Sequence, residues 1–210
     1  FAAPPIAGRL VAEAEKQANK ALKLDPTAAD AYTLLGAIAA RRGQTAQAGG
    51  HYRRAAELAP QRGEVLNNYG AWLCANGYPA EALVWFDRAV AAPGYGSPSS
   101  ALANAGGCAL KSGQRERADR DLRRALEMEP DNAYALASMA EYQYGQGRFF
   151  EARAFAERRL AAAPADASVL QLAASIEEGL GDRAAASRYQ QRLRAEFPQA
   201  ANAQTGEGPK

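Results

Sequence analysis

Residues 29–62 read ADAYTLLGAIAARRGQTAQAGGHYRRAAELAPQR, and residues 133–166 read AYALASMAEYQYGQGRFFEARAFAERRLAAAPAD. Laid over one another, they share a small residue (Gly36, Ala140), a glycine seven positions later (Gly43, Gly147), an alanine five beyond that (Ala48, Ala152) and a closing proline (Pro60, Pro164). Outward from these stretches the glycine returns at Gly77, Gly113 and Gly181, so that successive intervals from Gly43 are 34, 36, 34 and 34 residues. A period of 34 is that of a stacked helix–turn–helix array. One such unit is too small to bury its own apolar face. Neighbours must stack, and stacking builds an extended concave surface.

Each recurring position has a physical reason. The small residue (Gly36, Gly70, Gly106, Ala140, Ala174) stands where the two helices of a unit cross closely. The glycine ends the first helix by adopting the left-handed conformation that other residues reach only at a cost. The proline (Pro60, Pro130, Pro164, Pro198, and one position early at Pro93) cannot continue a helix and opens the next connection. A larger residue nine after the glycine (Tyr52, Phe86, Leu122, then weaker Ala156 and Gln190) fills the space between neighbouring units.

This pattern resembles the tetratricopeptide repeat. Leu35-Gly36, Tyr69-Gly70, Ala48, Ala55, Ala82, Ala89, Ala118 and Ala125 fall on its consensus. The resemblance implies an all-α solenoid, a right-handed superhelix of antiparallel helix pairs. Five full repeats are expected at about 29–62, 63–98, 99–132, 133–166 and 167–200, in one solenoid domain over 1–198. Residues 6–26 match only the second helix of an earlier unit, and the chain opens on Phe1 without a methionine, so a processed or truncated piece is expected. Residues 199–210 are small and polar, and a disordered tail is expected there.

Composition narrows the function. Lys and Arg number 25 against 23 Asp and Glu, a net charge of +2. The charges are mixed along each helix, which is a solvated surface and no stripe for nucleic acid. No apolar run approaches the length of a membrane span. A signal peptide is not visible, although a missing N-terminus would remove one. The single histidine, His51, reads as a surface residue with nothing to orient it for catalysis. The glycines recur as helix ends and form no phosphate loop. No enzyme activity and no cofactor is therefore expected. Gly49-Gly50, inside a second helix, costs roughly 1 kcal/mol per glycine relative to alanine. Either a weak helix is tolerated there, or a neighbour approaches the backbone closely.

Cys74 and Cys108 sit in the first helices of adjacent units, four and two residues after the small position. At about 100° per residue, these offsets differ by about 200° around the helix. One side chain points forward along the stack and the other back. They form either a disulfide, which belongs to an oxidising compartment, or two packed thiols. Two cysteines lack the partners for tetrahedral metal ligation, so no metal is expected.

Two further segments go beyond a generic repeat. Leu66-Asn67-Asn68-Tyr69-Gly70-Ala71-Trp72-Leu73-Cys74 is followed by the long connection Pro93-Gly94-Tyr95-Gly96-Ser97-Pro98 and by Asn104-Ala105-Gly106-Gly107-Cys108. Their order and spacing, with the two-residue insertion in the loop, resemble the type IV pilus biogenesis and stability lipoproteins, the PilF/PilW family. The chain end from Tyr189 to Pro198 resembles that family's last repeat. The resemblance implies a pilotin, a non-enzymatic scaffold that helps the pilus secretin reach the outer membrane and multimerise. It also implies the periplasmic face of the outer membrane, a lipid on a cysteine upstream of Phe1, and compatibility with a Cys74–Cys108 disulfide. Gly94 and Gly96 depart from the family pattern and loosen the loop. The alternative is a generic adaptor that binds a soluble peptide; a repeat domain cut from an enzyme is a third reading.

Asn68 and Asn104 are expected to tie units together through backbone hydrogen bonds, and Tyr69 and Trp72 to be interhelical core. Partner-binding candidates are Asn67, Trp85, Tyr95, Tyr134, Glu141, Tyr144 and Gln171. First-helix geometry adds Thr33, Ala37, Ala71, Ala103, Gly107, Ala137 and Ser175 to the concave face. Trp85 adjoins the inward Phe86 and must point elsewhere. No Lys or Arg clamp for a terminal carboxylate is evident.

Overall fold

A computed structural model describes residues 5–200. Its regular elements are helices: α1 (Pro5–Leu24), α2 (Ala29–Arg41), α3 (Thr45–Leu58), α4 (Gly63–Ala75), α5 (Pro79–Ala91), α6 (Pro98–Lys111), α7 (Arg115–Met128), α8 (Ala133–Gly145), α9 (Phe149–Ala162), α10 (Ala167–Leu180) and α11 (Arg183–Glu196). Residues 198–200 are again helical. The rest of the expected tail, 201–210, lies outside the described residues.

The helices form two compact units that divide between Ser112 and Gly113. In the first, α2 packs on α3 and α4 on α5, while α1 covers α2, α3 meets α4 and α5 meets α6. In the second, α8 packs on α9 and α10 on α11, with α7 against α8 and α9 against α10. Helix α1 spans most of residues 6–26, and its Ala18 clusters with Ala31 and Leu35 of α2. Helix starts are secured differently in the two units. Asn132, Asp166 and Asp182 accept hydrogen bonds from the N–H groups of Ala135, Val169 and Ala185 at 3.0, 3.0 and 2.9 Å. Such caps contribute about 1 kcal/mol each.

The period rests on backbone conformation. Gly43, Gly77, Gly113, Gly147 and Gly181 have φ of 72°, 88°, 74°, 71° and 79°. At the first of these turns the N–H of Gln44 returns to the carbonyl of Ala39 at 2.9 Å. The crossing positions are filled from within their own unit. A Cβ added to Gly36 would stand 3.0 Å from the Tyr52 ring, and one on Gly70 would stand 2.8 Å from Phe86. The larger residue therefore lies on the small residue of its own unit, a more specific contact than filling between units.

Gly49 and Gly50 have separate explanations. A Cβ on Gly49 would overlap the six-membered ring of Trp72, whereas nothing lies within 4 Å of one on Gly50. Gly49 is the notch into which α4 sets its tryptophan, and Gly50 is an exposed helix position with no packing role. The two substitutions should diverge. Gly50→Ala should stabilise by roughly 0.5–1 kcal/mol through helix propensity. Gly49→Ala gains the same propensity but must displace an indole, at about 1–3 kcal/mol. Urea unfolding followed by circular dichroism checks this; equal effects would refute the notch.

Candidate partner-binding surfaces

In the second unit, Tyr134, Ala137, Glu141 and Tyr144 recur at helical spacing along α8 and share one face. On α10, Ser168, Gln171, Leu172 and Ser175 do the same. The two faces meet in a groove of about 360 Å³, lined by Ala137, Glu141 and Tyr144 on one side and Ser168, Val169, Gln171, Leu172 and Ser175 on the other. Glu141 and Gln171 are exposed and Tyr144 is half-buried, its ring held 5.7 Å from that of Phe149. Phe149 is itself seated on Gly179, where a Cβ would lie 2.7 Å away. Tyr134 extends the stripe by one turn and is 47% exposed. The groove thus combines a small apolar floor with one carboxylate, one carboxamide and three hydroxyls, those of Tyr144, Ser168 and Ser175. That set suits an apolar segment of a protein carrying a few hydrogen-bonding groups.

The first-unit candidates are occupied within the protein. Asn104 donates from Nδ2 to Oδ1 of Asn67 at 3.0 Å, joining α6 to α4. The expected tie between neighbouring repeats is present, but it runs through the Asn67 side chain and not through backbone, and Asn68 is exposed instead. Trp85 is half-buried. Tyr69 meets its ring edge-on at 4.9 Å, and the Arg88 guanidinium lies 4.2 Å from its centroid. Tyr69 is core, as its repeat position requires, while Trp72 is half-buried. Ala103 and Gly107, placed on the concave face by helix geometry, are buried.

Tyr95 packs its ring on the α-carbon of Gly63, at the start of α4, where a Cβ could not fit. Burial raises its phenol above the ordinary value, and the carboxylate of Glu64 adds to this. Gly94, at φ 70°, makes the turn that brings the ring there. The two glycines therefore do not leave the loop loose: one shapes the turn, and Tyr95 fastens it. The Cα atoms of Cys74 and Cys108 stand 5.9 Å apart with their sulfurs at bonding distance. Together Gly63–Tyr95, Asn67–Asn104 and Cys74–Cys108 tie α4 and its approach to α6 along the whole helix.

A third surface lay outside the sequence reading. Arg153, Glu157, Glu177, Asp182, Arg188, Tyr189 and Arg192 line a cleft of about 340 Å³ across α9, α10 and α11. Arg153 donates from Nε and Nη2 to the two carboxylate oxygens of the buried Glu177 and stands 3.8 Å from Asp182. Opposite charges are balanced within it, so it carries no net pull for an ion. Elsewhere, His51 is half-buried beside Tyr32, at 6.1 Å between rings, and burial lowers its pKa below the ordinary value. Among the described residues, no helix is long and apolar enough to cross a membrane.

Family models described as tetratricopeptide repeat match residues 18–49 and 109–176. The crystal structure of PilW, a widely conserved type IV pilus biogenesis factor, is 30% identical in sequence. The alignment covers 96% of this chain and 92% of PilW, with a TM-score of 0.83. This chain belongs to the PilW family of tetratricopeptide-repeat proteins. PilF of Pseudomonas aeruginosa shares the fold, at 22% identity, 97% and 92% coverage and a TM-score of 0.78. YrrB, a repeat protein with an unusual peptide-binding site, also shares it, at 18% identity, 90% and 97% coverage and a TM-score of 0.57. No curated protein matches the sequence. For a PilW-family chain, the helix pairs, the turn glycines and the tied α4–α6 segment form a scaffold for protein partners.

Proposed function

We propose that this protein is a pilotin: it binds subunits of the pilus secretin and promotes their delivery to the outer membrane and their assembly into the channel. The observation that carries this reading is the end-to-end correspondence with PilW at 30% identity. The tied 66–108 segment lies within it. On this reading the protein works at the periplasmic face of the outer membrane, held by a lipid upstream of Phe1. A cysteine pair at bonding distance suits that oxidising compartment.

Deleting the gene in a piliated strain tests the proposal. Secretin multimers in the outer-membrane fraction should fall several-fold and pili should be lost, with both restored by the wild-type gene. Normal multimers and pili in the deletion strain would overturn it. The open groove between α8 and α10 favours one second reading, an adaptor for a soluble peptide. That reading predicts a bound peptide partner and no change in the secretin.

A further inference from the structure

The first unit holds a cavity that its repeat pattern does not require. About 370 Å³ in volume, it is lined by Thr45 and Tyr52 of α3, Asn68 and Trp72 of α4, Asn76 just beyond α4, and three alanines. Its size is that of a small-ligand site. Its chemistry differs from the other two surfaces. No Lys, Arg, His, Asp or Glu lines it, and no aliphatic side chain there is larger than alanine. An ion finds no counter-charge in it, and an apolar side chain finds no aliphatic pocket.

What it does offer is two aromatic rings and a set of uncommitted polar groups. Among the described residues, none hydrogen-bonds the Thr45 hydroxyl, the Tyr52 hydroxyl, the Asn68 carboxamide or the Trp72 indole N–H. No buried side-chain polar atom there lacks a partner, so these groups face solvent. They include donors and acceptors in one place. The walls are also preset. Trp72 has its six-membered ring against Gly49, Tyr52 lies on Gly36, and the Asn76 Nδ2 donates to the Trp72 carbonyl at 2.7 Å. These three side chains therefore have little freedom left to lose on binding, whereas the exposed Thr45 and Asn68 must be ordered by it.

We propose that this cavity binds a neutral saccharide ring, with Tyr52 and Trp72 contacting its C–H surface and Thr45 and Asn68 hydrogen-bonding its hydroxyls. A polyol ring presents an apolar face and a rim of groups that both donate and accept, the complement of this lining. A neutral peptide is the competing occupant. It would prefer the α8–α10 groove, where Val169 and Leu172 supply aliphatic contact.

The chain has two tryptophans, so its ¹⁵N-labelled form shows two indole N–H signals, assigned with a Trp72→Phe variant. Titration with the trisaccharide of N-acetylglucosamine should shift the Trp72 signal saturably, with Kd on the order of 1 mM. The Trp85 signal should stay in place. Asn68→Ala, at an exposed position, should leave the melting temperature unchanged and weaken binding about fivefold, as expected for a lost hydrogen bond. The proposal is overturned by an unmoved Trp72 signal at roughly ten times that concentration, or by full affinity in the Asn68→Ala protein. It is equally overturned by a capped neutral tripeptide that shifts Trp72 where the sugar does not.

Discussion

Phe86→Ala is expected to destabilise the first unit by about 3–5 kcal/mol. Phe86 is 1% exposed, and its ring fills the crossing of α4 and α5. The residue beneath it is Gly70, which has no side chain with which to close the gap. The loss therefore combines the transfer of a phenyl group with a cavity that the crossing cannot collapse. Leu66 and Leu83, on the same two helices, are themselves buried and cannot swing inward without opening space elsewhere. Gly70→Ala alone should cost about 1–3 kcal/mol, because the new methyl group meets the ring. The double variant should lose less than the sum, since the methyl occupies part of the vacated space. A coupling of about 0.5–3 kcal/mol is expected for residues in contact. Urea titrations of the four proteins complete the cycle. Strict additivity would mean that the ring does not rest on Gly70.

The packing roles of Gly70 and Phe86 are legible in the sequence because a repeat presents the same geometrical problem several times, but the pairing of the two is not: the repeat pattern sets the larger residue between units, and the structure sets it on the small residue of its own unit. Five turn glycines and five small residues define each crossing, and their shared spacing sets the helix phase for the whole chain. The same phase brought Glu141, Tyr144 and Gln171 into one groove. It would also have supplied Ser168 and Leu172, which lie three residues from Gln171 and Ser175 on α10. What helix phase does not encode is the identity of the opposing side chain. Gly49 left two readings open because the decisive ring, Trp72, comes from another helix. Trp85 is less buried than its neighbour Phe86, as the repeat phase requires, but only the structure shows it half-covered by Tyr69 and Arg88. The repeat position of Asn104 predicts a tie through backbone, whereas its actual partner, the carboxamide of Asn67, is a property of one residue and not of the repeat. The cleft around Arg153 draws on three helices and follows no periodic position.

Reducing the Cys74–Cys108 link is expected to cost the first unit roughly 2–4 kcal/mol, and to lower its melting temperature by on the order of 10 °C. The size follows from the unfolded chain. The bond would close a loop across a sequence separation of 34 residues, and cutting it returns that freedom to the unfolded ensemble. The folded state loses little by comparison. Cys108 is fully buried, and a thiol packs there as a small apolar group. Gly63–Tyr95 and Asn67–Asn104 still join the same elements. Cys74→Ser should reproduce the loss, and it puts the new hydroxyl at the half-buried end of the pair. Both cysteines lie in the first unit, so amide hydrogen exchange should quicken in α4, α5 and α6 and hold steady in α8 to α11. A melting curve unmoved by reductant, with both thiols free in protein purified from a periplasm, would remove the cross-link. The hydrogen bond and the tyrosine would still join α4 and its approach to α6, and the compartment reading would lose the cysteine pair as its structural support.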